Sequence, residues 1–346
     1  MIEDLINRLN ARLENLLACQ RLPLGLYEGE MGLCLYYYFL YKKTGKKAYE
    51  KTAETILDDI YKRIGEISSI DVKTGLAGIG LGITLLARHA CIRANVNKTL
   101  EDMDHCIIRE LFYLSHEDAR FDSLSFIHLL FYLYIRVTEH RKETASKRIY
   151  QELIIRLLNR TYTKLDSQPD HAERSFAYKI DFELPQFLFL LGKLLELNYY
   201  NDRIKAIVNE LSVTICSIFP ILHANRLYLL GGINCINKQI HSPLLSSHSN
   251  LLKNHTDINQ ILNHELKDKN IYLNNGASSL YYLYKSCSSY FNDSVASRFK
   301  NKIISSQAWT MLEENELYFE NHIGLFTGFT GCLITLSTLN EHNHEK

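Results

Sequence analysis

The sequence predicts an all-α protein, an α/α toroid (barrel) of seven helical hairpins with an inner and an outer ring of helices, and three observations carry that prediction. Prolines number only five in 346 residues, and valine and threonine are too sparse for regular strands, whereas leucine, isoleucine, lysine and glutamate are plentiful. Segments with an apolar stripe at helical spacing alternate with shorter segments that are apolar nearly all round. The shorter segments open repeatedly on glycine, roughly fifty residues apart.

In chain order, Leu5 to Leu17 reads as an amphipathic helix. Gly29 and Gly32 then precede the apolar run Leu33-Cys34-Leu35-Tyr36. Lys46 to Ile64 places Ala53, Ile56, Leu57, Ile60, Tyr61 and Ile64 on one stripe, which predicts an outer helix. Gly75 and Gly78 open the second apolar segment. Weaker openings stand at Ser123 and Glu183, and Ile204, Ile207, Val208, Leu211 and Ile215 form another stripe. Gly232, Gly276 and Gly328 complete the series, giving openings near 29, 75, 123, 183, 232, 276 and 328 in one domain over residues 1–346. Seven such units must stack or close to cover their apolar faces. Glycine at each opening lets helix ends pack closely, and it leaves backbone N–H groups for a ligand. The stretch Gln239 to Asn270, with Pro243 and several Ser and Asn, reads as a long connection.

Composition excludes several function classes. With 46% apolar and 23% charged residues the chain can bury a large core, which excludes intrinsic disorder. Lys plus Arg and Asp plus Glu both number 39, so no general field draws the chain to nucleic acid or to an anionic membrane. Met1-Ile-Glu-Asp-Leu is acidic where a secretory signal would be basic, and no apolar run approaches the roughly 20 residues of a membrane span. The eight cysteines are dispersed without a C-x-x-C, a pattern expected of unpaired thiols in a reducing cytoplasm. His241, His248 and His255 fall at seven-residue intervals without the tight spacing of a metal site. The 22 tyrosines mostly sit in helical segments, where rings fill the space between helix layers.

Three segments carry a resemblance: Gly25-Leu26-Tyr27-Glu28-Gly29-Glu30-Met31-Gly32, Thr74-Gly75-Leu76-Ala77-Gly78-Ile79-Gly80 and Gly324-Leu325-Phe326-Thr327-Gly328-Phe329-Thr330-Gly331. With their openings in register over Leu24 to Leu339, the chain resembles the LanC-like family of lanthionine synthetases. That resemblance implies conjugate addition of a peptide cysteine to dehydroalanine or dehydrobutyrine, with zinc held by Cys, Cys and His binding the thiol. A metal suits this chemistry because the thiolate is the nucleophile. Alignment of the fifth and sixth openings puts Leu230, Asn274 and Asn275 at the ligand positions, so no cofactor is expected and the family zinc is expected to be absent. Cys235 could be recovered by a shifted alignment, but not a Cys-His pair with it.

The partners implied are a precursor peptide and, as a candidate, a lanthipeptide dehydratase or other maturation enzyme. Three functions stay open: a non-catalytic scaffold that binds a precursor peptide, a zinc-independent cyclase, and a toroid reused for unrelated binding. Residues just before each opening should surround one mouth. Glu28 and Asp122 are candidate bases, and His322 is the histidine nearest the mouth, a candidate proton donor or acceptor. Tyr27, Asp181, Asn274, Asn275 and Thr327 are candidate substrate-binding residues, the amides suiting an extended peptide backbone. Helix capping is the alternative role for Asp122 and the asparagines.

Overall fold

Stripes of apolar residues become buried helix faces where the pattern is regular. The computed structural model describes residues 2–114, 121–166, 183–287 and 295–341, and no strand occurs among them. The helices are α1 (Ile2–Cys19), α2 (Glu30–Thr44), α3 (Lys47–Arg63), α4 (Leu76–Arg88), the single turn α5 (Val96–Thr99), α6 (Glu101–Tyr113), α7 (Ser123–Glu139) and α8 (Ala145–Asp166). They continue as α9 (Glu183–Glu196), α10 (Asn201–Ser217), α11 (His223–Ile240), α12 (Pro243–Asn254), α13 (Ala277–Ser286), α14 (Val295–Ile304), α15 (Ala308–Glu314), α16 (Glu316–Asn321) and α17 (Phe329–Glu341).

Ala53, Ile56 and Ile60 form the buried face of α3, while Tyr61 is 81% exposed and falls outside the expected stripe. On α10 all five striped residues, Ile204 to Ile215, are buried as expected. Each such side chain contributes about 1.5–3 kcal/mol of transfer energy. The short apolar segments are buried on most sides: α2 encloses Leu33, Cys34, Tyr36 and Tyr37, and α4 buries every residue from Leu76 to Thr84. Tyr36 and Tyr37 have no solvent exposure, filling core space as the tyrosine pattern predicts.

Where the sequence suggests one domain, the described chain divides into two compact units interleaved in sequence. Unit 1 holds residues 1–103, 266–281 and 294–346, and unit 2 holds 104–265 and 282–293. In unit 1, α2 packs against α3, α4 and α17, so helices from the two ends of the sequence lie side by side. α1 is tied in by Asn10, whose Oδ1 accepts from Tyr36 Oη at 2.8 Å, and by Arg12, which lies over the Phe319 ring and donates to the Leu312 carbonyl.

In unit 2, α9 packs on both α7 and α11, and each of these three meets its own amphipathic partner, α7 with α8, α9 with α10 and α11 with α12. A buried ion pair holds the first of these hairpins. Asp104 accepts from Arg136 Nη2 at 2.8 Å, Arg136 Nε at 3.0 Å and Tyr150 Oη at 2.8 Å, and also from Tyr132 Oη. Arg136 is wholly buried, so removing its partner would strand a charge in the core.

Two expectations change here. The stretch 239–270 is mainly helical rather than a long connection: Ser242 caps α12 through Leu245 N, Pro243 occupies its first turn, and a π-helical turn spans Ile261–Glu265. His248 is buried on α12, where desolvation lowers its pKa, while His241 and His255 end helices. The fifth opening also moves. Gly231 and Gly232 lie inside α11, which begins at His223. Its first N–H groups, those of His223 and Ala224, donate to the Glu265 carboxylate at 2.6 and 2.8 Å, a charge-assisted cap that needs no glycine.

Candidate functional site

Four openings in unit 1 share one backbone design. Glu30, Leu76, Ala277 and Phe329, each the first residue of its helix, donate N–H to the carbonyls of Pro23, Ser69, Asn270 and His322 at the start of the preceding loop. The N–H groups that the sequence leaves for a ligand are therefore closed by the loop itself. Glycine is demanded by contact. A Cβ on Gly29 would lie 2.2 Å from the Pro23 carbonyl oxygen, and one on Gly328 would lie 2.3 Å from that of His322.

The loops are also joined to one another. Asn274 N donates to Phe326 O at 2.7 Å, Phe326 N to Tyr27 O at 3.1 Å, and Tyr27 N to Lys73 O at 3.1 Å. All four residues stand two places before their opening glycine. The ladder runs from the sixth opening through the seventh to the first and second, fixing the side chains on either side of it. Gly324 permits the approach, since its Cβ would fall 2.5 Å from Tyr27 O and 2.6 Å from Glu28 Cα.

On this ladder Tyr27 and Phe326 stack with ring centroids 4.2 Å apart, an apolar shelf of the kind that aromatic pairs form. Burial pushes the Tyr27 phenol up to about 12, so it remains a neutral hydrogen-bonding group. Asn275 adopts φ +58°, a left-handed conformation asparagine tolerates. Its Oδ1 and the Thr327 hydroxyl are buried without a hydrogen-bond partner, an unfavourable state that a ligand's donors and acceptors would relieve. Glu28 and Asn274 are exposed.

His322 ends α16 with its ring between two tyrosines, 4.0 Å from Tyr318 and 5.0 Å from Tyr272. Its Nδ1 donates to the Tyr318 carbonyl at 2.8 Å, which leaves Nε2 as the basic atom of the neutral ring. The two tyrosine hydroxyls share a 2.8 Å hydrogen bond, and burial raises the Tyr272 pKa far above its usual value. Thus Tyr27, Glu28, Asn274, Asn275, His322 and Thr327 all belong to unit 1, with the openings of Tyr27, Asn274 and Phe326 bonded directly. Sequence reasoning missed Phe326, Tyr272 and Tyr318. Phe326 could have been found from its register, which is that of Tyr27.

The unit 2 candidates behave differently. Asp122 caps α7, accepting from Ser125 N at 2.7 Å and from the Ser125 hydroxyl at 2.5 Å, the alternative role left open for it. Leu230 is fully buried two turns inside α11, so it is not a mouth residue. Asp181 lies outside the described residues.

A family model described as lanthionine synthetase C-like protein matches residues 20–178, a little under half of the chain. The chain is 13% identical to a solved structure titled nisin cyclase, with a TM-score of 0.68 over 98% of this chain and 93% of that one. Over residues 20–178 the chain is similar to the lanthionine synthetase C-like family. The structural likeness shows the fold class expected from the seven openings, the all-α toroid of helical hairpins. No curated protein matches the chain by sequence.

The resemblance implies a zinc, and the residues that the sequence alignment puts at its ligand positions are Leu230, Asn274 and Asn275. Leu230 offers only hydrocarbon, and Asn274 and Asn275 offer neutral amides where thiolate and imidazole would be needed. Among the described residues no three His, Cys, Asp or Glu side chains are grouped as a metal ion requires. Cys235 donates to the Phe189 carbonyl at 3.4 Å, and burial raises its pKa, which disfavours the thiolate a metal would bind. No helix of the described residues is long and apolar enough to cross a membrane.

Proposed function

We propose that this LanC-like protein acts in the cytoplasm in lanthipeptide maturation as a zinc-free binding partner of a precursor peptide, held at the mouth built by the unit 1 openings. The carrying observation is the bonded ladder that sets the Tyr27–Phe326 shelf beside two buried polar atoms without internal partners, Asn275 Oδ1 and Thr327 Oγ1. A peptide supplies what both need: apolar or unsaturated side chains for the shelf, and backbone N–H and C=O groups for the polar atoms. A dehydratase that produces the dehydrated peptide is the natural second partner.

Zinc-independent cyclisation is a second reading, supported by His322. Addition of a cysteine thiol to dehydroalanine forms the C–S bond at the β-carbon, while the thiol proton must reach the α-carbon. Nε2 of His322 could accept that proton and return it, with the Tyr272–Tyr318 pair holding the ring.

One experiment separates these. The purified chain is mixed with a labelled, dehydrated precursor peptide, and anisotropy and free thiol are followed together. Binding that Phe326→Ala weakens about tenfold, equivalent to about 1.4 kcal/mol, with no thiol loss above the buffer rate, is the expected result. Thiol loss that His322→Gln abolishes replaces the scaffold by the cyclase, and absence of binding by the wild-type chain overturns both.

A further inference from the structure

The four unit 1 openings share a backbone closure, yet the rest of each loop is fastened by a different side chain. At the sixth and seventh openings a hydroxyl at the second helical position reaches back: Ser278 Oγ donates to Ile271 O at 2.5 Å, and Thr330 Oγ1 donates to Gly324 O at 2.9 Å and to Ile323 O at 3.1 Å. At the second opening a loop carboxylate serves, Asp71 accepting from Thr74 N at 2.7 Å and from the Thr74 hydroxyl at 2.8 Å. These fastenings are local. The first opening has neither group, since Met31 holds the second helical position and the loop from Leu22 to Gly29 carries only the exposed carboxylate of Glu28.

Its fastening comes from α3 instead. Arg63, the last residue of α3, donates through Nη2 to Leu22 O at 3.0 Å, where the loop begins, and through Nη1 to Glu30 Oε1 at 2.8 Å, where the loop ends. Asp59, one turn earlier, accepts from the same Nη1 at 2.7 Å and aims the guanidinium. Glu30 is 5% exposed and the Arg63 side chain 12%, so solvent and salt screen this pair far less than a surface one. A guanidinium suits the task, because its planar fork presents N–H groups to two acceptors at once. Leu76, Ala277 and Phe329, the counterparts of Glu30 at the other three openings, have no charge to offer.

Between these two held ends lies Tyr27, whose backbone bonds to Lys73 O and Phe326 N carry the ladder and whose ring makes half of the aromatic shelf. We propose that Arg63 is the positioning residue of the mouth: from a helix that takes no part in the ladder, it sets the loop that presents Tyr27 to Phe326, and through the shelf it governs how tightly a peptide is held. The inference rests on the reading of the mouth as a peptide site, and adds control of that site from α3. Displacement of α3 against α2 would pull on this loop through one side chain. The other three openings, fastened within their own loops, would keep their shape.

The test uses the full chain with two variants, Arg63→Gln and Arg63→Lys. Lysine keeps a cation beside Glu30, so the buried carboxylate is not left alone and the chain folds, but one ammonium cannot replace the fork. Hydrogen exchange read by mass spectrometry reports on the loop directly. Exchange in the segments containing Tyr27 and Phe326 should rise about tenfold in both variants, while the amides of α10 in unit 2 keep the wild-type rate. Equal acceleration in both places, or none in the two segments, would overturn the proposal. Binding of the labelled, dehydrated precursor is measured alongside as a double-mutant cycle. Either Arg63 variant should weaken it about fivefold in the wild-type background and leave it unchanged in Phe326→Ala, where no shelf remains to be positioned; the same loss in both backgrounds also overturns the proposal. Wild-type binding that depends on Phe326 but not on Arg63 keeps the peptide reading and sinks the positioning role. Absence of wild-type binding, with faster exchange in both segments, does the reverse: Arg63 holds Tyr27, and the mouth serves no peptide.

Discussion

The helix openings of unit 1 and those of unit 2 solve the same problem with different groups. In unit 1 four loops close the first N–H of their helices with backbone carbonyls, and glycine permits the contact. In unit 2 side chains do the work: Asp122 caps α7, and Glu265 clamps the start of α11 from 42 residues away. A backbone solution works whatever the side chains are, so these four openings need no side chain to close the first N–H of their helices. A side-chain solution consumes the residue that makes it.

If that contrast is right, unit 2 should be the more sensitive to loss of a single buried side chain. Asp104→Ala strands the buried Arg136 charge, and chemical denaturation should show a loss of about 3–5 kcal/mol. Unit 1 should instead be sensitive to an added methyl group. Gly324→Ala drives a Cβ into the Tyr27 backbone and should cost about 3 kcal/mol, whereas Gly65→Ala, which meets nothing within 4 Å, should change stability by less than about 1 kcal/mol. A Gly324→Ala protein as stable as wild type would dissolve the distinction. The smallest effect belongs to the cap: Asp122→Ala should cost about 1 kcal/mol in the same denaturation experiment.

Much of the backbone design was legible because glycine records it. A residue without Cβ is required where two chains touch, so Gly29, Gly75, Gly276 and Gly328 marked four openings correctly. The fifth was misplaced because Gly231 and Gly232 serve contacts inside a helix, against Leu283 and Pro185, while the actual start depends on a glutamate distant in sequence. The helix α12 was overlooked although Ser242 followed by Pro243 is a readable start signal, because its His, Ser and Asn content suggested a connection. Tyr27 and Phe326 share a register two places before their opening glycines, but no local pattern shows that the two rings stack, and the same holds for the Asp104 network.

The bond from Phe326 to Tyr27 joins residues from opposite ends of the sequence. During synthesis, at about 5–20 residues per second, Tyr27 waits for nearly the whole chain before its partner leaves the ribosome. Residues 104–265 can collapse around α7, α9 and α11 in the meantime, but a nascent chain halted before Phe326 has no aromatic shelf. Such long-range closure slows folding, and it makes the finished mouth a report that translation has passed through the seventh repeat.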